Sequence, residues 1–204
     1  MRLFLVRHGE TEHNRRGIAL GRADVPLNDT GRAQAESLAR HLAGEPLAAV
    51  YSSPLQRAFD TAFAIAEPHG IEVTVEYDLI EMDVGEVDGL TFVAVREQYP
   101  GFIERWMSES GPEHPMPGGE RLLDVADRAW LAISRLAELH HGQSVVAVSH
   151  NFVILTLLAR ALGMDLANFR RLRHGVAAVS ILEVRPDGAR VVSINDTCHL
   201  PPSG

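Results

Sequence analysis

The sequence has one cysteine, fewer basic than acidic residues and no long apolar run, and each shortage excludes a class of protein. Cys198 has no second cysteine to pair with, so an internal disulfide and a metal cluster built from thiolates are both excluded. The 19 basic and 27 acidic residues leave a net charge of -8, which argues against a nucleic-acid partner because phosphate backbones bind clustered cations. The apolar run at residues 3–6 is too short for a signal peptide or a membrane span, so we expect a cytoplasmic protein with no membrane partner.

The overall composition is that of an ordinary globular domain. Hydrophobic residues make up 46% and charged residues 23% of the chain, and 204 residues suffice to bury one core. We therefore expect residues 1–204 to form a single domain. A protein of this negative charge that handles anions must concentrate its positive charge in one pocket.

Short apolar segments alternate with amphipathic ones, which predicts an α/β fold: a three-layer α/β/α sandwich around a mainly parallel sheet. The expected strands cover residues 3–6, 48–51, 71–75, 144–148, 178–184 and 190–194, the last two joined as a hairpin. The expected helices cover residues 32–42, 54–66, 91–99, 102–108, 121–140 and 152–162, with Pro54 in a first turn. The less regular residues 82–118 are expected to form a small cap-like insertion over the ligand-binding edge of the sheet.

Polar clusters follow three of the expected parallel strands. Arg7 and His8 follow the first strand, Arg57 lies in the cluster after the second, and His150 ends the run at 144–150. Since the carboxyl ends of parallel strands share one edge of the sheet, where ligands of such folds bind, these side chains are expected to converge. A second Arg-His-Gly, at residues 173–175, precedes a strand, and we interpret it as a loop, with a place on the pocket rim as the alternative.

Two arginines and two histidines in one pocket suit phosphoryl transfer, in which catalysis is largely positioning and charge stabilisation. Each arginine offers a planar fork of donors to phosphate oxygens. A neutral histidine can attack phosphorus in line and form a phosphohistidine that water then hydrolyses. A second histidine, protonated, would stabilise the equatorial oxygens, and a protonated carboxyl group would give its proton to the leaving oxygen.

Five short motifs occur in order along nearly the whole chain. Leu-Val-Arg-His-Gly-Glu-Thr stands at residues 5–11 and Ser-Ser-Pro-Leu-Gln-Arg-Ala at residues 52–58. The other three stand at residues 81–89, 117–120 and 148–150. Together they resemble the motifs of the histidine phosphatase superfamily, the phosphoglycerate mutase-like clan. The resemblance implies the fold of that clan and an enzyme that transfers phosphoryl groups through a phosphohistidine.

The resemblance also implies a role for each site residue. His8 would be the nucleophile and Glu81 the proton donor, with Asp83 and Glu86 as nearby alternatives for the acid. The rest of the phosphate pocket would comprise Arg7, Asn14, the backbone of Gly21, Arg57, His150 and Asn151. Asn151 stands where the family often has glycine, a departure that bears on the shape of the pocket.

No metal and no other cofactor is expected. His13 and the pair His140-His141 lack the helical spacing and the third ligand of a metal site, so we interpret them as solvent-exposed. Cys198 and His199 resemble the tail of some metal-independent phosphoserine phosphatases in the clan, and a packed tail is the alternative interpretation.

Among the activities of the clan, hydrolysis is favoured. The mutases of the clan resemble one another in having a longer insertion after the acid, and this insertion carries extra arginines. In this chain, Arg96 and Arg105 are the only arginines between Glu81 and Pro117. We expect a metal-independent phosphomonoesterase acting on a small phosphorylated metabolite: phosphoserine, 3-phosphoglycerate, a sugar phosphate or α-ribazole phosphate. A phosphoglycerate mutase and a non-catalytic phospho-ligand-binding module are the alternatives, and the retained nucleophile and acid argue against the module. Whether the chain forms a homodimer is left open.

Overall fold

The computed structural model describes residues 1–201, with a six-stranded sheet at the centre. The strands are β1 (Arg2–Arg7), β2 (Leu47–Ser52), β3 (Val73–Val75), β4 (Ser144–Ser149), β5 (Val179–Arg185) and β6 (Gly188–Asp196). Their order across the sheet is β3-β2-β4-β1-β5-β6. Strands β1 to β4 run parallel, β5 pairs antiparallel with β1, and β6 pairs antiparallel with β5. The mainly parallel sheet and the terminal hairpin confirm the predicted fold class.

Helices cover both faces of this sheet. Within residues 1–201 they are α1 (Glu12–Arg16), α2 (Asp29–Leu42), α3 (Gln56–Ala66), α4 (Phe92–Gln98), α5 (Phe102–Trp106), α6 (Leu122–Leu139) and α7 (Asn151–Ala161). Side chains of β1 alternate between two cores: Leu3 and Leu5 share one with α6 and α7, whereas Phe4 and Val6 share the other with α2 and α3. Three layers result. None of these helices combines the length and the apolarity that crossing a membrane requires.

A few elements differ from their predicted bounds. Helix α3 begins at Gln56 with Leu55 as its N-cap, so Pro54 precedes the helix instead of lying in its first turn. Helix α1 is not predicted by apolar periodicity because its five residues are too few to show it. It is held by a capping box in which the side chain of Thr11 accepts from the Asn14 amide and the Asn14 side chain accepts in return.

Residues 82–118 contain α4, α5 and two single turns of 3-10 helix. Val95 of α4 and Phe102 of α5 are buried in the same core as α6. Trp106, at the end of α5, meets the ring of Phe152 edge-on, with the centroids 5.7 Å apart. The segment is thus packed on α6 and α7, next to the strand ends that carry the polar clusters.

Candidate active site

His8 lies directly after β1 and is held in one tautomer. Its Nδ1 is 2.7 Å from the carbonyl oxygen of Gly9, and since a carbonyl only accepts, Nδ1 carries the ring proton. The lone pair of Nε2 is then free for nucleophilic attack. Burial lowers the pKa of His8 well below its ordinary value, and the charges of Arg57 and Arg7 lower it further. The ring is therefore neutral, as attack on phosphorus requires.

The loop after β1 passes very close to the start of α2. A Cβ atom on Gly9 would lie 2.5 Å from the carbonyl oxygen of Gly31, and one on Gly31 would overlap the carbonyl oxygen of Glu10. Only glycine fits at both positions. The Glu10 amide donates to the Gln34 side chain at 2.8 Å, and the Gly9 amide donates to Oγ1 of Thr61 at 3.1 Å. These contacts hold the backbone of the loop in place.

Arg7 is held by α7 and by the loop before β5. Its Nη1 donates to the side-chain oxygen of Asn151 at 3.2 Å and to the carbonyl oxygen of His174 at 2.6 Å. Burial lowers the pKa of Arg7, and the negative charge of Glu81 opposes that shift. Because an arginine in a protein stays protonated, the result is a desolvated positive charge beside His8.

Arg57 supplies the second cation and is fully buried. Its Nη1 and Nη2 donate to the carbonyl oxygens of Ala23 and Gly21, at 2.8 and 2.7 Å. The sequence predicts that the backbone of Gly21 contacts phosphate. In the structure the Gly21 amide donates to Asp88 at 3.1 Å, and its carbonyl group orients Arg57.

His150 follows β4 and caps α7, with its ring centroid 5.1 Å from that of His8. Its Nε2 lies 2.6 Å from Oγ of Ser53, which itself accepts from the Leu55 amide at 3.3 Å. The Ser53 hydroxyl can donate to Nε2, and in that tautomer the ring proton lies on Nδ1. Burial, reinforced by Arg57, lowers the pKa of His150 well below its ordinary value. This shift favours a neutral ring in the site as it stands, whereas the sequence predicts a protonated one for the transferred group.

Three buried nitrogen atoms at this edge of the sheet have no hydrogen-bond partner within residues 1–201: Nε of Arg7, Nε of Arg57 and Nδ1 of His150. The two arginine atoms are donors, and Nδ1 is a donor in the tautomer in which Ser53 donates to Nε2. Buried donors in folded proteins nearly always have a partner. Leaving one unpaired costs about 1–3 kcal/mol. An anion with several oxygens, bound in front of His8, would satisfy them.

Glu81 is buried at the start of α7. One carboxylate oxygen accepts from the Met82 amide at 2.8 Å and the other from the Phe152 amide at 3.4 Å. Burial raises the pKa of Glu81, and the Met82 hydrogen bond and the charges of Arg57 and Arg7 oppose the rise. A raised pKa favours the protonated form that a general acid needs.

The two alternative acids are placed less well for catalysis. Asp83 forms an ion pair with Arg22 at 3.6 Å, and its side chain is 37% exposed. Glu86 is exposed and accepts from the Tyr99 hydroxyl at 2.8 Å. Of the three carboxylates, Glu81 is the one buried within reach of both pocket arginines.

The loop that carries the acid is anchored by residues that sequence reasoning does not single out. Arg128 of α6 donates to the carbonyl oxygens of Asp78 and Glu81, at 2.6 and 3.2 Å, and Nε of Arg22 donates to Glu81 at 3.4 Å. Arg128 also pairs with Glu120 at 3.2 Å. Glu120 is the last residue of the fourth motif, at residues 117–120. Its place in that motif is the one feature of the sequence that points to this anchor.

An open cavity of about 480 Å³ adjoins the site. Arg7, Asn14 and Asn151 line it, as does the segment 172–176. Residues 173–175, the second Arg-His-Gly, form a loop, as predicted, and they also form part of the cavity rim. The most buried members of the site lie outside the open part of this cavity: His8, Arg57, Glu81 and His150.

The three histidines excluded from a metal site differ in exposure. His141 is exposed, as predicted, but His13 and His140 are half-buried. The Nε2 of His140 lies 2.9 Å from the hydroxyl oxygen of Tyr51, and this contact explains why the His140 side chain is partly withdrawn from solvent. The prediction of exposure is therefore wrong for His13 and His140.

Comparison with known proteins identifies the family. The model of the histidine phosphatase superfamily (branch 1) matches residues 3–197. The chain belongs to this superfamily. Phosphoserine phosphatase 1 of Hydrogenobacter thermophilus is 36% identical over 98% of this chain and 94% of its own length.

Solved structures of the superfamily match over nearly the whole chain. Bacillus stearothermophilus YhfR aligns with a TM-score of 0.91 at 30% identity, covering 98% of this chain and 99% of that one. The phosphoserine complex of a mutant phosphoserine phosphatase from Entamoeba histolytica aligns with a TM-score of 0.87 at 27% identity, covering 98% and 99%. These findings confirm the predicted superfamily and fold, and they support the phosphatase class. The role of each site residue remains a prediction.

Proposed function

We propose that this protein is a metal-independent phosphoserine phosphatase that works through a phosphohistidine on His8. One observation carries the proposal: a neutral histidine, three unpaired buried nitrogen atoms and a buried carboxyl group of raised pKa lie at one edge of the sheet. The donors suit a phosphoryl group, whose charge is spread over its peripheral oxygens. Arginines and a histidine take the place that cations occupy in metal-assisted phosphoryl transfer.

In the first half of the reaction, Nε2 of His8 attacks phosphorus. A P–N bond forms as the bond from phosphorus to the ester oxygen breaks. Glu81 gives its proton to that oxygen, so serine leaves as the alcohol and Glu81 becomes a carboxylate. Arg7, Arg57 and Nδ1 of His150 donate to the three remaining oxygens of the transferred group.

In the second half, water hydrolyses the phosphohistidine. The Glu81 carboxylate takes a proton from the water as its oxygen bonds to phosphorus, and the P–N bond breaks. Inorganic phosphate leaves, Nε2 regains its lone pair, and Glu81 is protonated for the next cycle. The complete cycle returns the protein to the protonation state that the burial of His8 and Glu81 favours.

Phosphoserine as substrate is supported by the relatives and by the charges around the cavity. Beyond its phosphate, phosphoserine carries an ammonium and a carboxylate. Glu10 and Arg173 line the open cavity and offer one charge of each sign. A second cavity, of about 800 Å³, shares these two residues, so a larger ester such as a sugar phosphate would extend in that direction.

A substrate panel in excess EDTA tests the proposal. Phosphoserine, 3-phosphoglycerate, α-ribazole phosphate and a sugar phosphate are compared by kcat/KM, with release of inorganic phosphate as the assay. Phosphoserine should give the highest value and equal amounts of serine and phosphate. Arg173→Gln should raise KM for phosphoserine but not for p-nitrophenyl phosphate, which lacks a carboxylate.

Two other results would contradict this function. Conversion of 3-phosphoglycerate to 2-phosphoglycerate that exceeds phosphate release would identify a mutase. Binding of phosphorylated ligands without turnover of any of them would identify a non-catalytic module.

Two further features belong to the proposal. We propose that residues 82–118 act as a cap beside the site, supported by the packing of Trp106 on α7. A cytoplasmic location is proposed from the single cysteine, which suits a reducing compartment. The formation of a homodimer stays an open prediction.

A further inference from the structure

A second group of chemically active side chains lies between α2 and the tail that follows β6. His41 of α2 and the tail residues Cys198 and His199 each offer one ligand atom, and these atoms lie within 4.8 Å of one another. The rings of His41 and His199 stack with their centroids 4.9 Å apart. Cysteine sulfur and histidine nitrogen are the ligands that Zn²⁺ prefers. We propose that these three residues bind a divalent cation of the zinc class.

The orientation of His199 is the observation that points to a ligand. Its Nε2 lies 2.9 Å from the carbonyl oxygen of Ala177, which places the ring proton on Nε2. Its Nδ1 is buried and has no hydrogen-bond partner in the described part of the chain. Histidines that bind metals almost always donate their other N–H to a carbonyl or carboxylate, which fixes the tautomer. The Nδ1 lone pair is therefore oriented and unused, as a metal ligand requires.

Asp196 lies beside Cys198 and holds the backbone of the tail there. Its carboxylate accepts from the Cys198 amide at 2.9 Å, and its negative charge favours the protonated thiol by raising the pKa of Cys198. When a cation binds, the Cys198 thiol releases its proton to solvent and the sulfur becomes a thiolate ligand. Asp196 is not among the grouped ligand atoms, so a water molecule would supply the fourth ligand that a tetrahedral site requires.

The geometry needs only a small adjustment. Zn–N bonds of about 2.0–2.1 Å and a Zn–S bond of about 2.3 Å in a tetrahedral site separate ligand atoms by roughly 3.3–3.6 Å. Starting from separations of up to 4.8 Å, the atoms must close by about 1 Å. His41 and Cys198 are exposed, so their side chains are free to make this movement.

The proposed cation would tie the tail to α2 next to the second cavity. That cavity is lined by α2 on one side and by the tail on the other, through Gln34, Ser37, Thr197 and Leu200. It shares Glu10 and Arg173 with the cavity at the active site. The cation therefore stiffens the wall of the larger cavity and takes no part in the chemistry at His8.

Titration of the full chain with Co²⁺ tests the site. Since the sequence holds one cysteine, a thiolate-to-cobalt charge-transfer band in the near ultraviolet can come only from Cys198. We expect one equivalent of Co²⁺ to give this band and Zn²⁺ to displace it. The band should vanish in Cys198→Ser, and His41→Ala and His199→Ala should each weaken Co²⁺ binding by about tenfold or more. His141→Ala, which removes another exposed histidine, is the matched control and should bind as the wild type does.

Thiol reactivity provides a second, independent measurement. Stoichiometric Zn²⁺ should slow the reaction of Cys198 with a thiol reagent by about tenfold or more in the wild type and have little effect in His41→Ala. Absence of the band, a Zn²⁺-independent labelling rate, or equal weakening in His141→Ala would each overturn the proposal. Phosphoserine turnover in EDTA is measured alongside, so that failure of this site and failure of the proposed activity are distinguished.

Discussion

Replacement of Glu81 by glutamine isolates the proton-donating step. The glutamine side chain is isosteric with that of Glu81 and keeps an oxygen to accept from the Met82 amide, but it has no proton to give to an alkoxide. General acid catalysis contributes about 10²–10⁴-fold, so phosphoserine turnover in Glu81→Gln should fall by a factor in that range. The leaving group of p-nitrophenyl phosphate needs little protonation, and its turnover should fall by less than about tenfold.

The pH dependence sharpens this test. Burial raises the pKa of Glu81, and the carboxyl must be protonated for the first step, so kcat/KM should fall as pH rises through that pKa. This alkaline limb should be absent from Glu81→Gln. The same raised pKa means that ionisation of Glu81 destabilises the fold. The contribution of the protonated Glu81 to stability is complete below the unfolded-state pKa of about 4.3 and is lost as pH rises through the folded-state pKa. At neutral pH the variant avoids this cost, which offsets the loss of the oxygen that accepts from the Phe152 amide.

Two neighbouring carboxylates provide matched controls. Asp83→Asn and Glu86→Gln remove charges of the same type within five residues of Glu81, but from partly or fully exposed positions. Their turnover of phosphoserine should stay within about threefold of the wild type, since exposed ion pairs contribute little. Equal losses on phosphoserine and p-nitrophenyl phosphate in Glu81→Gln, or a larger loss in Asp83→Asn, would refute the assignment of the acid.

Three further predictions follow from the same geometry. His8→Ala should abolish turnover and the acid-labile, base-stable phosphoryl label while leaving the circular dichroism spectrum unchanged; substantial residual activity would contradict a phosphohistidine. Turnover should survive exhaustive chelation and be inhibited by vanadate, and a loss in EDTA that a divalent ion restores would argue for a metal at the phosphate. Gly31→Ala should lower the free energy of unfolding by about 1–3 kcal/mol because its Cβ overlaps the Glu10 carbonyl oxygen. Gly44→Ala, whose Cβ would meet no atom within 4 Å, is the control in denaturant titration, and equal effects would contradict the packing argument.

The sequence predicts the site as far as chain direction and strand order determine it. His8 and His150 each follow a parallel strand, and β1 pairs directly with β4, so the two rings meet without any information about side-chain packing. The same reasoning places Arg57 at the site, because the polar cluster that contains it follows β2, and β2 lies on the other side of β4. Local sequence and sheet topology suffice for such residues.

The protonation states of the site residues and the contacts that hold them in place could not be predicted in this way. The neutral state of His150 depends on how deeply the ring is buried and on its bond to Ser53, which lies 97 residues away in the chain. The anchor from Arg128 to the carbonyl oxygen of Glu81 spans 47 residues. Both depend on tertiary packing between segments whose sequences carry no signal of each other. The donors left unpaired on Arg7 and Arg57 are equally invisible until every other bond of each guanidinium is known.

The charge pattern explains how an acidic protein prepares a site for an anion. All 19 basic residues are arginines, and none is lysine, although the net charge is -8. Arg57 is fully buried and fixed by two carbonyl groups, a geometry that suits a planar guanidinium with five donors better than the single ammonium of lysine. Burial removes the water that would screen the pocket arginines, so each of them attracts an anion strongly at hydrogen-bond distance. The exposed acidic residues repel an anion through solvent, and this repulsion is screened beyond about 8–10 Å. We therefore expect recognition of the substrate to be short-range and to depend on the orientation of Arg7, Arg57 and His150 more than on the net charge of the protein.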